Sequence, residues 1–176
     1  MNHANSLDKQ ALMAALELEE KGYTFFKETA SKSSNSFAKE VFDFLAGEEL
    51  RHIQAIKKFN VEFLKGNSIE TDGLIEAIKS GKSKSAFERL FKHLSETAPI
   101  AGTELDAYKF AMDFELQGEA FYKKAQVETA DQNAKKLYGF LVGEERGHFK
   151  IVESCLAYFE NPSEFFHQRE KWHLEG

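Results

Sequence analysis

The chain has 176 residues, 42% hydrophobic and 30% charged, with a formal net charge of -6, which suits one globular domain, 1–176, with a substantial core. The acidic balance argues against a nucleic-acid partner, and no run of 18 apolar residues or basic leader marks a membrane span or a secretory signal. Cys155 is the only cysteine, so an intrachain disulfide or a thiolate metal site is excluded.

With two prolines and 17 phenylalanines that recur mostly at helical spacing, the chain reads as all-α. The first helix is predicted from about residue 7 to 31, capped by Ser6 and with Asp8 in its first turn, where negative charge suits the helix dipole. Its inward stripe is Leu12, Leu16, Glu19, Tyr23 and Phe26. The polar run 31–36 is a short loop, which favours an antiparallel neighbour. That neighbour spans about 37–65, facing inward with Val41 or Phe42, Leu45, Glu49, His52, Ile56, Phe59 and Phe63. Gly66-Asn67 stops it.

The segment 66–102 differs in kind. Asp72 is a candidate cap for a short helix across Leu74 to Lys79. Ser85 and Glu88 form a capping box for another, carrying Phe87, Leu90, Phe91 and Leu94, before Pro99 and Gly102 break the pattern. Nothing elsewhere in the chain matches this segment, which reads as a long helical crossover. A third long helix runs from near Thr103 to about Thr129, and Asp131 caps a fourth that ends at Asn161-Pro162-Ser163. The tail, with Phe165, Phe166 and Trp172, is expected to form a short C-terminal helix against the bundle or a second subunit. A homodimer is the expected assembly.

Within this outline the chain repeats itself. Phe44-Leu45-Ala46-Gly47-Glu48-Glu49-Leu50-Arg51-His52 returns 96 positions later as Phe140-Leu141-Val142-Gly143-Glu144-Glu145-Arg146-Gly147-His148. The preceding helices repeat too: Glu19 stands 30 residues before Glu49, and Glu115 stands 30 before Glu145. Each helix pair therefore offers one inward Glu and one Glu-x-x-His, whose two side chains share a face. Four such helices supply the inventory of a two-metal centre inside a four-helix bundle, up-down-down-up.

Four carboxylates in an apolar interior would repel one another and resist ionisation unless cations joined them. Glu19, Glu49, His52, Glu115, Glu145 and His148 are accordingly the predicted metal ligands, with no catalytic residues beyond them. Oxygen and imidazole donors suit two iron ions, with manganese or zinc as possible substitutes. Glu20, Glu48 and Glu144 read as solvated face residues, and Tyr122 and Tyr138 as core packing or, alternatively, as lining the access route or lending a proton. Gly22 and Gly118 each lie three residues after an inward Glu, and are expected to pack helices closely or to leave a slot by which peroxide or dioxygen reaches the metals.

The four stretches around Glu19, Glu49–His52, Glu115 and Glu145–His148 resemble the di-iron domain of rubrerythrins, within the ferritin-like superfamily, over residues 7 to about 160. The resemblance implies a ferritin-like bundle, two irons held by these residues, and reduction of hydrogen peroxide under oxidative stress in a cytoplasmic setting. Two departures are visible. The four-cysteine rubredoxin domain of full-length rubrerythrins is missing, so electrons would come from an external rubredoxin-like or flavoprotein donor. Where the family commonly carries a redox-mobile glutamate, three residues after Glu115, this chain has Gly118. The readings to be weighed are a peroxidase, a ferroxidase or iron-handling protein using dioxygen or peroxide, and a non-catalytic bundle braced by metal.

Overall fold

The computed structural model describes residues 3–65, 71–79, 100 and 102–165. Among them every regular element is a helix: α1 (His3–Lys32), α2 (Ser36–Lys65), α3 (Thr71–Lys79), α4 (Gly102–Glu128) and α5 (Gln132–Glu160). One helical turn, 162–165, follows α5. The second crossover helix expected around Phe87 to Leu94 lies outside the described residues, as do Phe166 and Trp172 of the tail. No described helix is long and apolar enough to cross a membrane.

The caps show which sequence signals acted. Asp131 accepts from the backbone N–H groups of Asn133 at 2.9 Å and Ala134 at 2.8 Å, the predicted cap of α5. Such a cap is worth about 1 kcal/mol. At α2 the cap is Asn35, whose Oδ1 accepts from Ala38 N at 3.0 Å. Ser6 is not a cap: α1 begins at His3 and runs through it. No glycine or proline precedes Ser6 to stop the helix, and Asp8 lies beyond the first turn and is buried. Asp72 falls inside the first turn of α3, and its carboxylate meets Lys136 of α5 at 2.9 Å.

Two tight hairpins, α1 with α2 and α4 with α5, account for most of the packing. Their mutual direction follows from Glu104, at the start of α4. Its Oε1 accepts from the N–H groups of Ser34 at 2.9 Å and Asn35 at 3.1 Å, in the α1–α2 turn. Helices α2 and α4 therefore start at the same end and run the same way, giving up-down-down-up. The crossover must return along the bundle. α3 begins that return at the opposite end, packed on α2 and the start of α5.

The core is in two parts. One, around Phe26, Phe42, Leu45, Tyr108 and Val152, fills the end near the α1–α2 turn. The other, around Leu12, Ile56, Phe59, Tyr122 and Leu141, fills the end near α3. Complete burial of such side chains contributes about 2 kcal/mol each. Between the two, along all four helices, lies a layer of buried carboxylates and imidazoles.

Candidate metal centre

Each long helix delivers its polar residue at the same depth, because each carries it within an inward stripe whose apolar residues are buried. α1 brings Glu19, α2 brings Glu49 and His52, α4 brings Glu115, and α5 brings Glu145 and His148. All six are at most 4% exposed. They converge as two groups of potential ligand atoms, each group within 4.8 Å: Glu19, Glu49, His52 and Glu145 in one, and Glu49, Glu115, Glu145 and His148 in the other. Glu49 and Glu145 belong to both. Each group adds one Glu and one His of its own.

Both imidazoles turn Nδ1 into the cluster. Nδ1 of His52 lies 3.1 Å from Oε2 of Glu19, 3.7 Å from Oε1 of Glu145 and 3.8 Å from Oε2 of Glu49. Nδ1 of His148 lies 3.4 Å from Oε1 of Glu49 and 3.5 Å from Oε2 of Glu115. The two rings stack with centroids 5.4 Å apart and planes 17° from parallel. Six polar residues face one another here with few hydrogen bonds. Oε1 of Glu49, both oxygens of Glu115, Oε1 of Glu145, Nδ1 of His148 and Nε2 of His52 are buried without a hydrogen-bond partner. Orphaned buried acceptors of this kind cost about 1–3 kcal/mol each, and divalent cations at the centre of the cluster would satisfy those that face into it. The residues fit a two-metal group.

Protons substitute for cations in the metal-free protein. Burial, then the charge of Glu49, raises the Glu19 carboxyl to about 8. Burial and the charges of Glu19, Glu49 and Glu115 push Glu145 up as well. Glu49 itself stays ionised: burial opposes this, but Glu19 and the two nearby imidazoles hold its pKa down. Burial disfavours charge on His148, yet the neighbouring Glu115 and Glu49 raise it to about 9. His52 is raised against its burial too, by Glu19, Glu144 and Glu49.

The surroundings of the six depart from the sequence expectation. Tyr122 is in the core, and its hydroxyl also donates to Oε1 of Glu19. Tyr138 stacks on Tyr122 at 6.1 Å and stays a packing residue. Glu20 is exposed and pairs with Lys57, as expected of a solvated face. Glu48 and Glu144 are not solvated: Glu48 is 2% exposed and pairs with Arg51, while Oε2 of Glu144 stands 3.9 Å from Nε2 of His52. Burial opposes the ionisation of Glu144, but His52 and Arg51 hold its pKa down. Glu119 turns away to Lys123 and Arg146, so it does not replace the missing glutamate at 118.

Gly22 and Gly118 do not leave a slot. A Cβ on Gly118 would stand 3.0 Å from Oε2 of Glu145, and one on Gly22 would stand 2.8 Å from the Phe114 ring and 3.4 Å from Cδ of Glu49. The space beside each glycine is taken by a side chain of a neighbouring helix.

A family model described as rubrerythrin matches residues 10–156. The chain belongs to the rubrerythrin family. No curated protein matches it, and no solved structure does. The match takes in most of each of the four long helices and every residue of the buried cluster, so the rubrerythrin bundle and the carboxylate–histidine layer coincide. Family and cluster together fit a di-iron protein.

Proposed function

We propose that this rubrerythrin binds two irons through Glu19, Glu49, His52, Glu115, Glu145 and His148, and reduces hydrogen peroxide with electrons from an external donor protein. The observation that carries the reading is the sharing of Glu49 and Glu145 by two otherwise separate ligand groups. A carboxylate has two oxygens, so each shared Glu can serve two cations at once, and each cation is completed by one Glu and one His. Manganese and zinc suit the same donors.

Bound ferrous ions would supply one electron each, enough to cleave the O–O bond of hydrogen peroxide to two waters with uptake of two protons. The protein's share is positioning and exclusion of water. Tyr122 holds Glu19 by its hydroxyl, and Glu144 faces the outer nitrogen of His52. The two apolar layers above and below keep the carboxylates out of bulk water, where their field on the reacting atoms would be screened. A rubredoxin-like or flavoprotein partner is the proposed source of electrons.

The test is stopped-flow oxidation of the di-ferrous protein by peroxide and by dioxygen in parallel. Faster reaction with peroxide supports the proposal. Equal or faster reaction with dioxygen, with a ferric mineral released, would make the protein a ferroxidase, and reaction with neither would leave a metal-braced bundle.

A further inference from the structure

The repeat that builds the cluster is broken around only one of its halves. Beside Glu19 and His52 stand Tyr122, whose hydroxyl donates to Glu19, and Glu144, whose carboxylate lies 3.9 Å from the outer nitrogen of His52. The positions 96 residues away, which would serve Glu115 and His148, are Phe26 and Glu48. Phe26 has no hydroxyl, and its ring packs on Phe114 at 6.2 Å. Glu48 is drawn aside by Arg51, and the counterpart of Arg51 is Gly147, which has open space around it. The consequence is visible in the cluster. Oε1 of Glu19 has a donor, while neither oxygen of Glu115 and not Nδ1 of His148 has a hydrogen bond.

We infer that the two metal positions hold their ions unequally: the Glu19–His52 half retains its ion, and the Glu115–His148 half exchanges its ion. The inference rests on the di-metal reading above. An ion leaves when its ligands swing off it. For Glu19 that motion breaks a hydrogen bond to a buried, charged acceptor; for Glu115 it breaks none. Groups that orient metal ligands contribute roughly 10–100-fold in metal affinity, and here the Tyr122 hydroxyl bonds a ligand of one position alone, with the Glu144 charge near the same half. A state with one ion, held by Glu19, His52 and the two shared carboxylates, is then reached before the metal-free state. A centre of two different metals can form by replacement at the Glu115–His148 half.

Cobalt(II) is a visible probe for carboxylate–imidazole sites. The full chain is loaded with cobalt, challenged with excess chelator, and followed by visible absorption and by metal analysis of quenched samples. The expected course is two phases of equal amplitude, one cobalt each, with rates at least about tenfold apart. Tyr122→Phe removes only the hydroxyl and should speed the slow phase about tenfold while leaving the fast phase unchanged. Glu144→Gln, at a less buried position, should act in the same direction and covers the case of a poorly folding Tyr122→Phe. Two cobalts leaving in one phase would overturn the inference alone, as would a Tyr122→Phe protein in which the fast phase accelerates or neither phase changes. Loading of fewer than two cobalts per chain would overturn the di-metal reading, and the inference with it.

Discussion

The carboxylate of Glu145 is seated against the backbone of Gly118. A Cβ there would lie 3.0 Å from Oε2, 3.2 Å from Cδ and 3.4 Å from Cγ of Glu145. The residue that departs from the rubrerythrin pattern is therefore the one that makes room for a shared carboxylate. A glutamate at 118 would have to displace Glu145, so Gly118→Glu is expected to lose metal rather than gain activity.

Gly118→Ala is the finer test. Alanine in a helix interior gains about 1 kcal/mol over glycine, and the Glu145 side chain can yield a few tenths of an ångström in the metal-free protein. The metal-free variant should melt at or above the parent temperature. Metal affinity should fall by roughly tenfold, because a carboxylate serving both positions has moved. Gly22→Ala should do the reverse, costing stability through Phe114 while leaving Glu49 in ordinary contact. Thermal melts and metal titrations of both variants check the contrast.

Replacing Glu49 and Glu145 together by glutamine should abolish binding at both positions, since both residues belong to both groups. Glu115→Gln alone should leave one metal per chain. The metal-free double variant should be less stable than the parent at neutral pH, because the ionised Glu49 that faces His52 and His148 is gone. Metal analysis and denaturant melts report the two effects. Retention of a full complement by the double variant would contradict the shared-ligand geometry.

The metal-free protein should lose stability as pH rises from 6 to 9. Glu19, raised to about 8, and His148, raised to about 9, bind protons more tightly folded than unfolded. A raised group stabilises fully below its unfolded pKa and loses that contribution as pH passes its folded value. For Glu19 the loss runs from about 4.5 to 8, and for His148 from about 6.5 to 9. Metal affinity should change in the opposite sense, because cations take the place of those protons. Urea midpoints of metal-free protein at pH 6 and pH 9 decide it: a midpoint at pH 9 equal to or above that at pH 6 would be contrary.

Glu104→Ala serves as a control away from the metals. Glu104 is buried and ties the α1–α2 turn to α4 through two backbone N–H groups. Losing a charged acceptor from two partly buried donors should cost about 2 kcal/mol. Metal stoichiometry of the folded variant should not change.

Much of this was readable in the chain because it lies within single helices. Glu49 and His52 are three apart and share a face whatever surrounds them, and the 96-residue repeat pairs them with Glu145 and His148. What the chain did not disclose crosses between helices. Tyr122 lies two turns beyond Glu115 on its own helix, yet its hydroxyl reaches Glu19 of α1, 103 positions away. Glu144 reads as an outer-face residue of α5 until His52 of α2 is placed against it. The glycines failed as a slot for the same reason: periodicity shows where a side chain is missing, while what fills the space comes from another helix. At the α1–α2 turn several polar residues could have capped, and only the fold selects Asn35.

One chain should hold two ions on shared carboxylates, and anaerobic titration of the metal-free protein with ferrous iron measures this. Binding should stop at two irons per chain, and after oxidation their magnetism should show a coupled pair, as bridging Glu49 and Glu145 require. Saturation at one iron or none, or two irons that are magnetically independent, would contradict it.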